Sequence, residues 1–299
     1  MQENQKQVIL RSGSDRAFDI ALAVICGLIF ISVLYPLYFV VLASFSDPIQ
    51  VAGGKVWLWT NKPTLEGYKK VFEYEKLWVG YRNTIVYALV GVAAHLFVTI
   101  PAAYALSRKD TMLRGPIMML FTITMFFGGG IVPTYLIYKA FGMLDTIWVM
   151  TLPGCVSVYN LIIARTFFQS NIPGELLDAA RIDGCDDFRF FAQIVVPLSS
   201  AIIAVVMLYQ VVGIWNSYMD GLLYLSSDSK IPLQLVLREI LVKNSVDGGQ
   251  MGMGDDELEN LKEQMKYCVI VVSTLPMMVL YPFVQKFFTK GVMIGSIKG

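Results

Sequence analysis

The sequence predicts an all-α membrane protein with six transmembrane helices and a polar helical hairpin between the fourth and fifth. Three observations carry this. Six apolar stretches approach or exceed the roughly 20 residues that a span needs, at about 20–45, 84–106, 116–138, 147–168, 198–217 and 267–288. The chain is 56% apolar and 16% charged over its 299 residues, whereas soluble domains average about 25% charged. Between the fourth and fifth stretches lies Asn171–Pro197, polar and too patterned to be a plain turn. No internal repeat or low-complexity tract divides the chain, so residues 1–299 read as one membrane domain.

Composition excludes several classes. A net charge of +1 gives no sign of nucleic-acid binding. Cys26, Cys155 and Cys268 lie in apolar stretches and Cys185 in the central insert, a scatter without disulfide or metal-site spacing. Each is expected to be a small buried hydrophobe. His95 is the single histidine, so multi-histidine metal centres are excluded.

In chain order, Arg11 and Arg16 precede an apolar run from about Ala17 to Phe45. This is far longer than the roughly 7–15 residues of a signal-peptide core, and it reads as a retained span. The segment that follows, 46–83, carries Trp57 and Trp59 beside Lys55 and Lys62, a pattern expected of lipid-interface anchors. His95 in the second span is expected to hydrogen-bond a neighbouring helix rather than to join a proton path. In the third span Gly128-Gly129-Gly130 precedes Pro133, which should break or kink the helix. Such a break either lines a covered pathway or allows close helix packing.

Asn160 in the fourth span, and Gln210, Trp215, Asn216 and Tyr218 around the fifth, are candidate pathway residues. Amides and aromatic rings suit carbohydrate, which offers hydroxyls and apolar ring faces; each alone also suits interhelical contacts. The segment 218–266 holds an amphipathic run, Pro232–Val242, then DGGQMGMGD (247–255) and a charged run to Gln264. It is either a surface for an external partner or a helix lying on the membrane.

Lys and Arg divide evenly between the two sides, 12 and 12, if the N-terminus is inside. Arg11 and Arg16 before the first span, against Asp47 after it, favour both termini in the cytoplasm. That orientation also puts the central insert in the cytoplasm.

The insert has helix punctuation at both ends of its first half. Pro173 suits a helix start and Gly184 a helix end, and a second helix follows through Phe188, Phe190, Phe191 and Ile194 to Pro197. The chain has no G-x-x-x-x-G-K-[ST], H-E-x-x-H or G-x-S-x-G. It is therefore not expected to hydrolyse ATP alone or to be an enzyme. Gly252-Met253-Gly254-Asp255 matches the G-x-G-D of intramembrane aspartyl proteases, but Asp255 lies in a hydrophilic segment without a membrane-buried partner Asp.

Asp178-Ala179-Ala180-Arg181-Ile182-Asp183-Gly184, nine residues, then Ile194-Val195-Val196-Pro197, resembles the EAA motif of importer-type ABC transporter permeases. The usual form is E-A-A, three residues, G, nine residues, I-x-L-P; Asp178 stands for Glu and Val196 for Leu. Met125–Leu136, Ile162–Pro173, Trp215–Leu225 and Phe288–Gly299 are similar to carbohydrate permeases, notably those importing oligosaccharides in Gram-positive bacteria. The resemblance implies a bacterial plasma-membrane half-transporter working by alternating access. It would pair with a second homologous permease, two cytoplasmic ATPase subunits that bind ATP and Mg, and an extracellular solute-binding lipoprotein. Carried over by position, Asp178, Ala179, Ala180, Asp183 and Gly184, with Phe188 beyond them, would dock on the ATPase. The residues alone also leave room for a self-sufficient secondary transporter or channel.

Overall fold

A computed structural model describes the backbone of residues 13–247 and 256–296, and side chains over 15–242, 264–283 and 285. Gly252–Asp255 and most of the DGGQMGMGD stretch lie outside the described residues. The described residues are helical apart from turns and one isolated antiparallel bridge, Ser46 with Pro63. The helices in order are α1 Gly13–Ser44, α2 Pro48–Ala52, α3 Glu66–Glu73, α4 Glu75–Ser107, α5 Arg114–Phe126, α6 Ile131–Ala140, α7 Ile147–Thr151 and α8 Val158–Asn171. They continue as α9 Gly174–Ile182, α10 Asp187–Phe190, α11 Val196–Leu198, α12 Ser200–Trp215, α13 Tyr218–Tyr224, α14 Leu233–Asp247 and α15 Asp256–Ser296.

Three helices, α1, α4 and α15, are long and apolar enough to cross a membrane individually. The other apolar stretches are bent pairs. The third breaks at Phe127–Gly130 with a bend of 114° between α5 and α6. The fourth bends by 42° between α7 and α8, and the fifth by 79° where α10 and α11 meet α12. At that last bend Phe191–Val195 forms a π-turn; Pro197 supplies no N–H to the helix, and the wider turn absorbs the misfit. The second stretch is longer than hydropathy marks it. α4 starts at Glu75, because no breaker stands between Glu75 and Thr84, and its 33 residues extend about 50 Å.

The chain divides into two compact units, residues 1–69 with 252–271, and residues 70–251 with 272–299. In the first, buried Gln264 ties three segments: its Nε2 donates to the Ser44 and Ser46 carbonyls at 3.3 and 3.0 Å, and its Oε1 accepts from Gly67 N at 3.2 Å. Trp57 and Trp59 are exposed. Cys268 is buried, but Cys26 is exposed along α1 and Cys155 and Cys185 are half-buried. The expectation of four buried cysteines is corrected: an apolar helix facing outward exposes its cysteine too.

Two apolar cores stand out among the described residues of the second unit. One joins Ala103 and Tyr104 of α4 to Leu161, Ala164 and Phe168 of α8, with Ala180, Phe190 and Val195 of the insert. The other joins Tyr87 and Val92 of α4 to Val149 and Met150, Ile214 and Tyr224. The amphipathic run forms α14, which buries Leu233, Val236, Leu237 and Ile240 and packs on α4 and α13.

Two polar clusters mark opposite ends of this unit. At one, Asp145 accepts from the backbone N–H groups of Ser226 and Ser227, both at 3.0 Å, and from Ser227 Oγ and Lys230 Nζ. There Asn83 Nδ2 and Tyr87 Oη, near the start of α4, donate to the carbonyls of Ser229, Ile231 and Lys230. These bonds, Ser227's first, hold the Asp145 carboxyl well below the usual range. The other cluster belongs to the insert.

Candidate functional site

The insert folds as two helices joined by a tight turn. α9 follows Pro173, and after the C-cap Asp183 comes Gly184 at φ +75. There Gly184 N donates to Arg181 O at 3.1 Å and Cys185 N to Ala180 O at 2.9 Å. This pair satisfies carbonyls that the helix end leaves open, and the left-handed angle it needs is cheap only for glycine. α10 begins with its own cap, the Asp186 carboxylate accepting from Arg189 N at 2.9 Å.

One side of the insert is anchored. Ala180 and Phe190 are buried in the α4–α8 core, and Phe191 sits 5.2 Å from the Tyr104 ring, centroid to centroid. Four charges pin it further. Arg108, just past α4, pairs with Asp110 and, at 2.9 Å, with Asp187; Arg181 lies 3.5 Å from both carboxylates. The hydrogen bonds between Arg108 and Asp110 hold Asp110 well below the usual carboxylate range and raise the Arg108 guanidinium. Nearby, Arg165 Nε of α8 donates to the Leu106 carbonyl at 3.0 Å.

The other side is bare. Asp178, Ala179, Asp183, Gly184 and Phe188 are exposed, and Phe188 and Ile182 remain 79% and 87% exposed although both are large and apolar. Of the expected docking residues, then, Ala180 faces inward, and the three phenylalanines divide: Phe190 is buried, Phe191 half-buried and Phe188 free. Between the insert and the α4–α5 turn runs a groove of about 670 Å³, lined by Arg108, Arg114, Glu175, Asp178 and Arg181 among others.

The candidate pathway residues scatter. Asn160 is buried and donates from Nδ2 to His95 Nε2 at 3.0 Å. His95 Nδ1 lies 3.1 and 2.9 Å from the Gly154 and Cys155 carbonyls. Two carbonyls accept only from an N–H, which places the proton on Nδ1 and leaves Nε2 to accept from Asn160. The ring is fully engaged, and the Asn160–His95 pair joins α4 to α8. Trp215 is buried and its Nε1 donates to the Ser273 carbonyl at 3.3 Å. Asn216 caps its own helix through Val212 O at 2.9 Å, and Tyr218 is exposed.

Gln210 lines a cavity of about 200 Å³ at the end of α12 remote from the insert. Its neighbours there include Tyr138, Gly154, Gly213, Ile214, Ser217, Asp220 and Tyr224. Helical geometry explains the selection. Gln210, Gly213, Ile214 and Ser217 recur at i, i+3, i+4 and i+7 on one face, while Trp215 and Asn216 point elsewhere. That stripe was the available signal for Ser217; Tyr138 and Asp220 are brought in from other helices and had none.

The comparisons agree with one another. A family model described as binding-protein-dependent transport system inner membrane component matches residues 77–241. The polygalacturonan/rhamnogalacturonan transport system permease protein YtcP of Bacillus subtilis is 39% identical over 285 residues, 94% of this chain and 96% of that protein. Protein LplC of the same organism is 36% identical over 287 residues, 95% of this chain and 96% of its own length. Among solved structures, a chain of a bacterial ABC transporter involved in the import of the acidic polysaccharide alginate superposes with a TM-score of 0.84 at 30% identity. The match covers 93% of this chain and 99% of that one.

Proposed function

The chain belongs to the family of binding-protein-dependent transport system inner membrane components, and from this premise we infer that it is a transmembrane permease subunit of an ATP-driven ABC importer for oligosaccharides. It is a transport component of the membrane rather than an enzyme. It forms a single permease domain of six spans, three of them bent, with both termini in the cytoplasm. Its partners are a second homologous permease, two cytoplasmic ATPase subunits holding ATP and Mg, and an extracellular solute-binding lipoprotein.

One observation carries the coupling role: the insert is fixed on one side and bare on the other. Its anchored side, through Phe190, Ala180 and the Arg108–Asp187 pair, moves with α4 and α8. Its bare side offers Asp178, Ala179, Asp183, Gly184 and Phe188, a mixed charged and apolar surface suited to a groove on the ATPase. Nucleotide biases the ATPase between two arrangements, and a rigid insert passes that bias to the bundle, which alternates between inward and outward openings.

The test is affinity purification of the chain with and without replacement of Asp178-Ala179-Ala180. The native chain should bring an ATPase, a second permease and a binding protein. The altered chain should insert in the membrane but lose the ATPase and uptake; ATPase association at the native level would overturn the docking role.

A further inference from the structure

The cavity beside Gln210 has a chemistry that narrows the cargo. Gln210 is 9% exposed, and its amide makes no hydrogen bond to any described residue. Gly154 makes room for it: a Cβ there would stand 2.8 Å from Gln210 Nε2. The amide is not sealed among the buried unpartnered atoms, so it is open to a hydroxyl or water in the cavity. Tyr138 and Tyr224, rings edge-to-face with centroids 5.0 Å apart, form an aromatic wall. Asp220, itself exposed, completes the lining, and among the described residues no Lys, Arg or His contributes to it. Its carboxylate has no cation beside it in that lining, so another negative charge there would be poorly received. The volume, about 200 Å³, equals roughly seven waters at about 30 Å³ each, enough for a single sugar ring.

We propose that this cavity seats one uncharged pyranose unit of the transported chain and turns away uronate units. The Gln210 amide and the Asp220 carboxylate bind hydroxyls, and the tyrosines pack on the apolar ring face. The proposal rests on the carbohydrate-importer reading and adds the charge class of the sugar this chain touches.

The test uses galactotriose and trigalacturonate, whose units differ only in bearing a C6 hydroxymethyl or a C6 carboxylate. Equilibrium binding is measured on the transporter purified in nanodiscs with the subunits that accompany this chain, without the binding protein. Galactotriose should bind at least tenfold more tightly than trigalacturonate. Gln210→Ala should weaken galactotriose about tenfold. Asp220→Asn should shrink the preference to under threefold, while Asp220→Glu, which keeps the charge, should retain it and so show that a substitution at this position folds. Equal binding of the two sugars, binding of neither, or a preference unchanged by Asp220→Asn would overturn the proposal. The parent reading fails separately, if no sugar presented with the binding protein drives ATP-dependent uptake.

Discussion

Gly184 allows the hairpin to be tested by backbone energetics alone. Its φ is +75, and no atom lies within 4 Å of where a Cβ would stand. A substitution therefore meets no internal clash, and its cost is that of holding an L-residue in the left-handed region, about 1–2 kcal/mol. Alanine recovers about 0.4–1 kcal/mol by restricting the unfolded chain, leaving a net loss of roughly 1 kcal/mol. That is about a fivefold shift in local opening, given tenfold per 1.4 kcal/mol. The amides of Gly184 and Cys185, which donate to Arg181 and Ala180, report it directly. In Gly184→Ala they should exchange with deuterium about fivefold faster, with α8 and α12 unchanged. In Gly184→Asn, a residue that tolerates this conformation, the acceleration should stay under twofold. Alanine exchanging at the native rate, equal behaviour of Ala and Asn, or acceleration spreading into α12 would refute the reasoning. Gly184→Asp then isolates contact from strain: it shares the tolerance of Asn but adds a charge. ATPase co-purification kept by the Asn variant and lost by the Asp variant locates the partner at this turn.

The other predictions concern the pins and the knot. Arg108→Ala leaves Asp110 and Asp187 facing each other without their main cation. With Arg108 mostly covered and both carboxylates about half exposed, it should cost about 1–2 kcal/mol, read as faster exchange in α10 and weaker ATPase co-purification with normal membrane insertion. Because Asp110 is depressed in the folded chain, its contribution is complete above the unfolded carboxylate pKa of about 3.9. It is lost only as pH falls through the lower folded value. Exchange protection of the insert should therefore be flat from about pH 5 to 8, and a loss centred near neutrality would show that another group controls it. Asn160→Leu leaves the buried His95 Nε2 without its donor and should destabilise the bundle by about 1–3 kcal/mol, lowering the thermal midpoint in detergent. The uptake KM should not move, since Asn160 stands apart from the cavity.

How much was readable in the sequence depended on how local the cause was. Pro173 and Gly184 bound α9 through their own backbone chemistry, and Gly128–Gly130 with Pro133 likewise announces the break between α5 and α6. The apolar runs located the three long apolar helices and the three bent pairs, but hydropathy placed the start of α4 nine residues late. Glu75–Asn83 is polar yet unbroken, and Asn83 is bonded to the distant Ser229 and Ile231 carbonyls. Polarity alone gave Asn160, Trp215 and Gln210 the same rank. Their different fates follow from partners far along the chain: His95 for Asn160, Ser273 for Trp215, and none for Gln210. Asp220 stands in the polar segment after the fifth apolar stretch, and only the packing of α13 against α7 brings it to the cavity.

The Arg108–Asp187 ion pair also has a bearing on parity. A chain that leaves one face of a membrane and later touches its own departure point has crossed an even number of times. The pair joins the end of α4 to the start of α10, while Asp145, midway between them, is bonded to Ser226, Ser227 and Lys230 beside the beginning of α4. One excursion therefore runs from Arg108 to Asp145 and a second returns from Asp145 to Asp187. The path with α5 and α6, despite its 114° bend, thus leads from one end of α4 to the other rather than returning to the end it left.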